Sequence, residues 1–311
     1  MFRERLEEIG LTISINIMRI LLNVTKILSG YANLLKVYSL KRHWIGAALL
    51  FFLKLLMMAV WIITFAFTGS VTAVEKVVPF HPGEKLVFEV KWKFIPAGEA
   101  ILEVLPLENI NGVDHYHFSM TARTYHYIDP LYKVRDRVDA YTNIKMTHST
   151  LYKQQMRGMR KKDIVVTFDL KRQKAQYAKN GKKKKPIRIK PGSFDPLSVF
   201  YAFRFFNLKE HTVLKLTVTD GKKCVLGKAK VIRRETITIE SGTYDTYLVE
   251  PDLEHIGGVF KKSKHAKLKI WVTADPRCIP VKISSKVIVG SFVGELISAE
   301  GIGEDAIALK R

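Results

Sequence analysis

From Lys85 to Phe94 the chain alternates: Leu86, Phe88, Val90, Trp92 and Phe94 are apolar, while Val87, Glu89, Lys91 and Lys93 between them are mostly charged. Successive strand side chains project to opposite faces, so this period of two describes a half-buried antiparallel strand rather than an amphipathic helix. Pro96 to Gly98 is read as its break. Glu99 to Val104 resumes with Ala100, Leu102 and Val104 on one side, and Asn111-Gly112 predicts a type I′ hairpin returning through Tyr116, Phe118, Met120 and Ala122. Asn180-Gly181, Asp220-Gly221 and Ser241-Gly242 mark further turns, and runs as far as Ser291 to Ile297 bring the expectation to roughly a dozen strands. No stretch alternates strands with helices as a parallel sheet requires.

One helix interrupts the pattern. Asp195 suits an N-cap, Pro196 suits the first helical position, and the body from Leu197 to Phe206 is apolar almost all round. A helix without a polar face must be covered on most sides. The expected fold is therefore all-β, a curved antiparallel sheet or incomplete β-barrel with one buried helix, and Arg204 is directed to a carboxylate or to water. Trp92, Phe118, Phe200, Tyr201, Phe203 and Trp271 are the candidates for lining an apolar pocket beneath that helix, the alternative being a packed core.

Ahead of the strands, Trp44 to Phe67 contains a single charge, Lys54. Its uninterrupted part, Leu55 to Phe67, has the length of a secretory signal core, and Val71-Thr72-Ala73 supplies the small residues of a cleavage site. Taken whole, Trp44 to Phe67 spans a bilayer, with Lys36, Lys41 and Arg42 keeping the preceding flank cytoplasmic. Either reading exports the rest of the chain to the periplasmic side of an envelope, secreted or anchored. The organisation expected is a basic leader over 1–43, a signal peptide or membrane anchor over 44–73, and an exported β domain over 74–311. Met1 to Leu35 carries an apolar helical face; it is either a membrane-lying helix or the product of a start codon placed too early.

The net charge is +22, and residues 1–73 hold eight Lys/Arg and three Asp/Glu, which leaves 43 minus 26, or +17, beyond them. Outside the cytoplasm such an excess points to anionic lipid or an envelope polymer rather than to nucleic acid. The densest charge lies in Lys182, Lys183, Lys184, Lys185 and Arg188, backed by Arg157, Arg160, Lys161 and Lys162. Gathered on one sheet edge these form an anion-binding or membrane-binding surface; the competing reading is a solvated edge that resists aggregation. Cys224 and Cys278, the only cysteines, are read as buried thiols or as one bridge. His115 and His117 share a strand face, expected to be the solvent side, but no spacing completes a metal site, and no cofactor is expected. No Gly-x-Ser-x-Gly turn or selected carboxylate pair indicates an enzyme. The functional expectation is a non-enzymatic envelope protein binding lipid or another anionic component. A hydrolase of cell-wall polysaccharide and a structural scaffold are the alternatives.

The stretch from Asp195 through Pro-Leu-Ser-Val-Phe-Tyr-Ala-Phe to Arg204 resembles the exported bacterial family known as domain of unknown function 3108. So do the opening Pro82-Gly83-Glu84-Lys-Leu-Val-Phe with Gly98, and Ile270-Trp271 followed by Asp275, Arg277, Ile279-Pro280 and Gly290. The likeness runs from about Phe80 to Glu300. It implies an all-β envelope protein of Gram-negative bacteria, with no established activity or catalytic residues.

Overall fold

A computed structural model of the chain describes residues 78–159, 161–252, 267–287 and 290–302. The leader and hydrophobic segment expected over 1–73 lie outside the described residues; among the described residues no helix is long and apolar enough to cross a membrane. Lys76–Arg311 forms a compact unit by itself. Every described strand pairing and both apolar cores lie within Lys76–Arg311, so this unit carries what it needs to fold.

The described strands are β1 (Lys85–Trp92), β2 (Ile95–Ile110), β3 (Val113–Thr124), β4 (Arg135–Asn143), β5 (Ser149–Arg157), β6 (Lys161–Asp169), β7 (Lys174–Lys179), β8 (Lys182–Lys183) and β9 (Ile187–Arg188). After the helix come β10 (Val213–Thr219), β11 (Cys224–Ile239), β12 (Gly242–Pro251), β13 (Lys267–Thr273), β14 (Pro280–Val287) and β15 (Gly290–Glu300). All belong to one antiparallel sheet in the order β10 to β15, then β1 to β8, with β9 also on β7. The pairing of β1 with β15 places the first and last strands mid-sheet and leaves β10 and the β7–β9 group as edges. Ser193 and Phe194, in the segment that follows β9, link β5 to the β10 edge: Ser193 O accepts from Ser149 N, and Phe194 exchanges two backbone hydrogen bonds with Thr217 and Thr219. The result is an incompletely closed barrel.

Turn chemistry explains most of the register. Asn111 (φ 55°) with Gly112 (φ 82°), and Asn180 (φ 48°) with Gly181 (φ 78°), adopt the paired positive φ values that a type I′ hairpin needs. The expected break at Pro96 to Gly98 is displaced: Lys93 (φ 58°) and Phe94 make the turn, and β2 begins at Ile95. Pro96 fits because β1 shifts register between Val90 and Lys91 opposite it, and a bulge tolerates a residue without an N–H. Gly98 is demanded by the neighbouring backbone, since a Cβ there would sit 2.3 Å from Arg123 O.

The helix is shorter than its apolar run: α1 spans Ser198–Ala202 and tightens into a 3₁₀ turn, Phe203–Phe205. Asp195 does cap it. Its Oδ1 accepts from Leu197 N at 2.8 Å and Ser198 N at 2.9 Å. Inside the sheet Tyr201 stacks on Phe118 at 4.0 Å, and Phe80 meets both rings edge-on. Arg204 reaches the carboxylate of Glu84, with both side chains buried.

Neither cysteine is bridged. The Cys278 thiol is buried, donates to Asp275 O at 3.5 Å, and is pushed up to about 11 mainly by that burial. A thiol reagent at pH 8 is therefore expected to modify half-buried Cys224 in the native protein and to reach Cys278 only after denaturation, because the thiolate is the reacting form. Titration with a chromogenic disulfide reagent counts the two classes; equal reaction of both in the native state contradicts this placement.

Candidate functional site

Alternation of inward residues along β1 to β5 and β13 to β15 leaves a space that α1 does not fill. The cavity has a volume of about 410 Å³. One wall is Phe88, Leu102, Met120 and Val138; the other is Ile270, Ile283 and Phe292; Leu197 and Phe200 project from the helix segment. None of the lining residues is charged, and Ser285 and Tyr152 supply the only polar side-chain groups. Burial, with the charges of Asp195 and Asp220 adding to it, raises the Tyr152 phenol well above its ordinary pKa and keeps it neutral.

Gly294 also lines this space, and a Cβ added to it would find its nearest neighbours at 4.0 Å. It is a missing side chain in an apolar wall. A closed, dry void of this volume would cost about 10 kcal/mol at roughly 24 cal/mol per Å³, comparable with the whole stability of a domain. The cavity must therefore be open or occupied, and apolar walls hold water poorly. A second space of about 220 Å³ on the other side of α1, between Val199, Phe203 and Val218, is more polar, with Asp220, Lys223, Lys228 and Asp252 in its lining.

The aromatic candidates separate. Phe200 lines the larger cavity and Phe203 the smaller. Phe118 and Tyr201 are closed inside the core, at 0% and 1% exposure. Trp92 lies at the end of β1 and is exposed, next to Gly290. Trp271 projects to the face opposite Ile270 and lines neither cavity: it is half-buried against the core, and its indole N–H donates to Glu235 at 2.9 Å. The sequence held a signal for this: Leu268, Ile270 and Val272 share one parity, and Trp271 shares the other with Lys267 and Lys269. That rule also selects Phe292 and Gly294, which are not among the aromatic candidates.

Strand directions place the basic candidates. β5 and β7 run toward the end of the sheet where β1 ends, and β6 and β8 start there, so Arg157, Lys161, Lys162, Lys182 and Lys183 gather at that end. Lys184 and Lys222 both lie over the Tyr177 ring, at 5.8 and 4.7 Å. Lys162 has its pKa lowered by partial burial and by the charges of Lys222 and Lys179. Arg157 is paired with Asp163 at 2.6 Å. Lys185 follows β8, whereas Arg188 pairs with Lys174 at the far end of β7, about 17 Å from Lys179 at strand rise. Arg160 lies outside the described residues.

His115 and His117 are not solvent-facing as expected. His115 is buried, and His117 stacks on Tyr141 at 4.3 Å between Asp139 (2.9 Å) and Glu108 (3.2 Å), because these longer side chains fold over the outer face. Among the described residues no group of three or more His, Cys, Asp or Glu is placed to hold a metal ion.

The family model described as "Protein of unknown function (DUF3108)" matches residues 87–297. No curated protein matches the sequence. Solved structures with a similar course include a β-barrel-like protein of domain of unknown function DUF1849 from Brucella abortus, at 8% identity and TM-score 0.46, covering 71% of this chain and 98% of that one. A protein described as exported, with a YmcC-like fold, from Bacteroides fragilis is similar at 8% identity and TM-score 0.33, covering 71% and 97%. A protein described as a lipoprotein from Parabacteroides distasonis is similar at 12% identity and TM-score 0.31, covering 71% and 98%.

Proposed function

The chain belongs to the DUF3108 family, and since that family's description names no activity, we propose a function from the cavity itself: an exported, non-enzymatic envelope protein that holds the hydrocarbon part of an amphiphile beneath its helix. The observation that carries this reading is an apolar space of about 410 Å³ with no charged group in its walls. That volume lies within the range of small-molecule sites, roughly 300–1,000 Å³. A polysaccharide-cleaving site would instead need facing carboxylates and hydrogen-bonding groups for sugar hydroxyls. The apolar run Trp44 to Phe67 and the small residues before Val74 support export, and the +17 charge beyond residue 73 supports an anionic amphiphile.

Gly294 provides the test. A Cβ there meets nothing nearer than 4.0 Å, and Gly294 lines the cavity, so a leucine is expected to take up part of that space. The wild-type protein is expected to bind palmitate, read by displacement of anilinonaphthalene sulfonate. Gly294→Leu is expected to weaken palmitate by about tenfold, or about 1.4 kcal/mol, while melting no lower than wild type. Undiminished palmitate binding by the variant, or none by the wild type, overturns the proposal.

A further inference from the structure

The end of the sheet that holds the cavity also carries an unusual set of exposed side chains. Antiparallel alternation brings the β1–β2, β3–β4, β5–β6 and β7–β8 connections to this end. The cavity residues Val90, Leu268 and Phe292 lie within two positions of the strand ends there, Trp92, Lys267 and Gly290. The connections bear Phe94 at 82% exposure, Leu131 at 73% and Met159 at 65%, with Tyr127 and Tyr132 also exposed.

These tips adjoin and are braced by backbone contacts. Tyr127 Oη donates to Pro96 O at 2.7 Å, Tyr125 N to Ala97 O at 3.1 Å, and Met159 N to Lys133 O at 2.9 Å. Gly158 sits so close to the β3–β4 connection that a Cβ would approach Lys133 O to 2.0 Å. The apolar side chains are thus presented outward by a rigid rim rather than left over on a loose loop.

Cations surround them. Lys93, Arg123, Lys133, Lys161, Lys182 and Lys183 are exposed on or beside the same tips. The acids beside these tips, Glu99, Asp129 and Asp163, are paired with Arg123, Arg135 and Arg157, which leaves the lysines. Large apolar and aromatic residues ringed by unneutralised lysines match an anionic bilayer surface, where rings settle at headgroup depth and ammonium groups meet phosphate.

We propose that this rim docks on an anionic membrane, inserting Phe94, Leu131 and Met159 while the surrounding lysines contact phospholipid headgroups. It deepens the amphiphile-binding reading by supplying the lipid surface beside the cavity, and it rests on that reading only for its purpose. Docking requires the tips, whereas binding of a dissolved amphiphile requires the cavity.

The test uses residues 76–311, the self-contained unit, cosedimented with vesicles of phosphatidylglycerol or of phosphatidylcholine. Wild type is expected to bind phosphatidylglycerol at least about tenfold better than phosphatidylcholine, with the preference shrinking as salt shortens the screening length. The triple variant Phe94→Ser, Leu131→Ser, Met159→Ser should lose at least about tenfold in phosphatidylglycerol binding, yet keep its melting temperature and its palmitate binding in solution. Trp92 and Trp271 are the only tryptophans of this unit. Brominated phosphatidylglycerol should quench the wild-type emission, and Trp92→Phe should abolish that quenching. Vesicle binding that ignores lipid charge, or a triple variant that binds as wild type, overturns the docking. If palmitate binding persists in that case, the cavity reading stands alone. Loss of palmitate binding with tip-dependent docking intact would leave the rim proposal standing without the cavity.

Discussion

Replacing Arg204 by methionine is expected to destabilise the β domain by about 3–5 kcal/mol, the range for removing one partner of a buried ion pair. Its guanidinium donates to both Glu84 carboxylate oxygens, at 2.5 and 2.9 Å, to Pro79 O at 2.8 Å and, through Nε, to Arg277 O at 2.8 Å. It also lies over Phe80 and Tyr201, at 5.5 and 5.8 Å. Methionine removes the charge and leaves the Glu84 carboxylate buried without its partner. For a domain of this size each kcal/mol is worth about 2–4 °C of melting temperature, so a fall of about 10 °C is expected. Lysine should not rescue it, because a point charge cannot reproduce the two-pronged contact. Adding Glu84→Leu should recover part of the loss by removing the stranded carboxylate; Pro79 O and Arg277 O remain without their donor. Urea denaturation measures all three variants. A methionine variant within about 1 kcal/mol of wild type would show that the pair contributes little beyond its desolvation.

This contact changes how the family resemblance is understood. Glu84 from the opening motif, Arg204 from the helix motif and the Arg277 carbonyl from the late motif meet in one buried knot, although 120 and 73 residues separate them from Arg204 in sequence. The shared residues therefore fasten the helix to one end of the sheet, at the start of β1 and the β13–β14 connection. They also reach the cavity: Phe88, Leu197, Phe200 and Ile270 of its lining belong to those motifs, while Leu102, Met120, Val138, Ile283 and Phe292 are alternating apolar residues outside them.

Much of the architecture was legible because it is local. Period-two alternation gave β1, paired Asn-Gly signals gave the two type I′ turns, and the Asp-Pro start gave the helix position. Long-range effects were not legible. The bulge opposite Pro96 depends on β1 pairing, so the break was expected at Pro96 to Gly98, which in fact lie inside β2. The helix run was apolar to Phe206, but its last turn tightens as it meets the core. Parity puts Phe94 on the inward face, yet the turn at Lys93 carries it outward. Parity puts His115 and His117 on the correct side but cannot show the side chains that cover it, since Glu108, Asp139 and Tyr141 come from other parts of the sheet or beyond a bulge. The rim tips carry no local signal because each apolar residue sits singly beside a turn; only the sheet order gathers them.

Asp195→Ala should be the second most damaging substitution, at about 3 kcal/mol, because it strands several buried donors at once and removes a helix cap worth about 1 kcal/mol. The carboxylate is fully buried. Oδ1 takes the two helix amides, and Oδ2 takes the hydroxyls of Ser149 and Ser198, each at 2.5 Å. Ser149 in turn accepts from Asp195 N, tying β5 to the start of the helix. Burial raises the Asp195 pKa, and the four hydrogen bonds oppose that rise without cancelling it. The folded state then holds the proton more tightly than the unfolded chain, so stability from this group is greatest at low pH. It declines as pH climbs past the unfolded value of about 3.9, until the folded carboxyl has also ionised. Asp195→Asn lacks this titration. The stability gap between wild type and Asp195→Asn is therefore expected to be larger at pH 4.5 than at pH 7, measured by urea unfolding at both. A gap that widens with pH would mean that the amide and hydroxyl donors outweigh desolvation and hold the carboxylate ionised, making the cap an anion site rather than a buried acid.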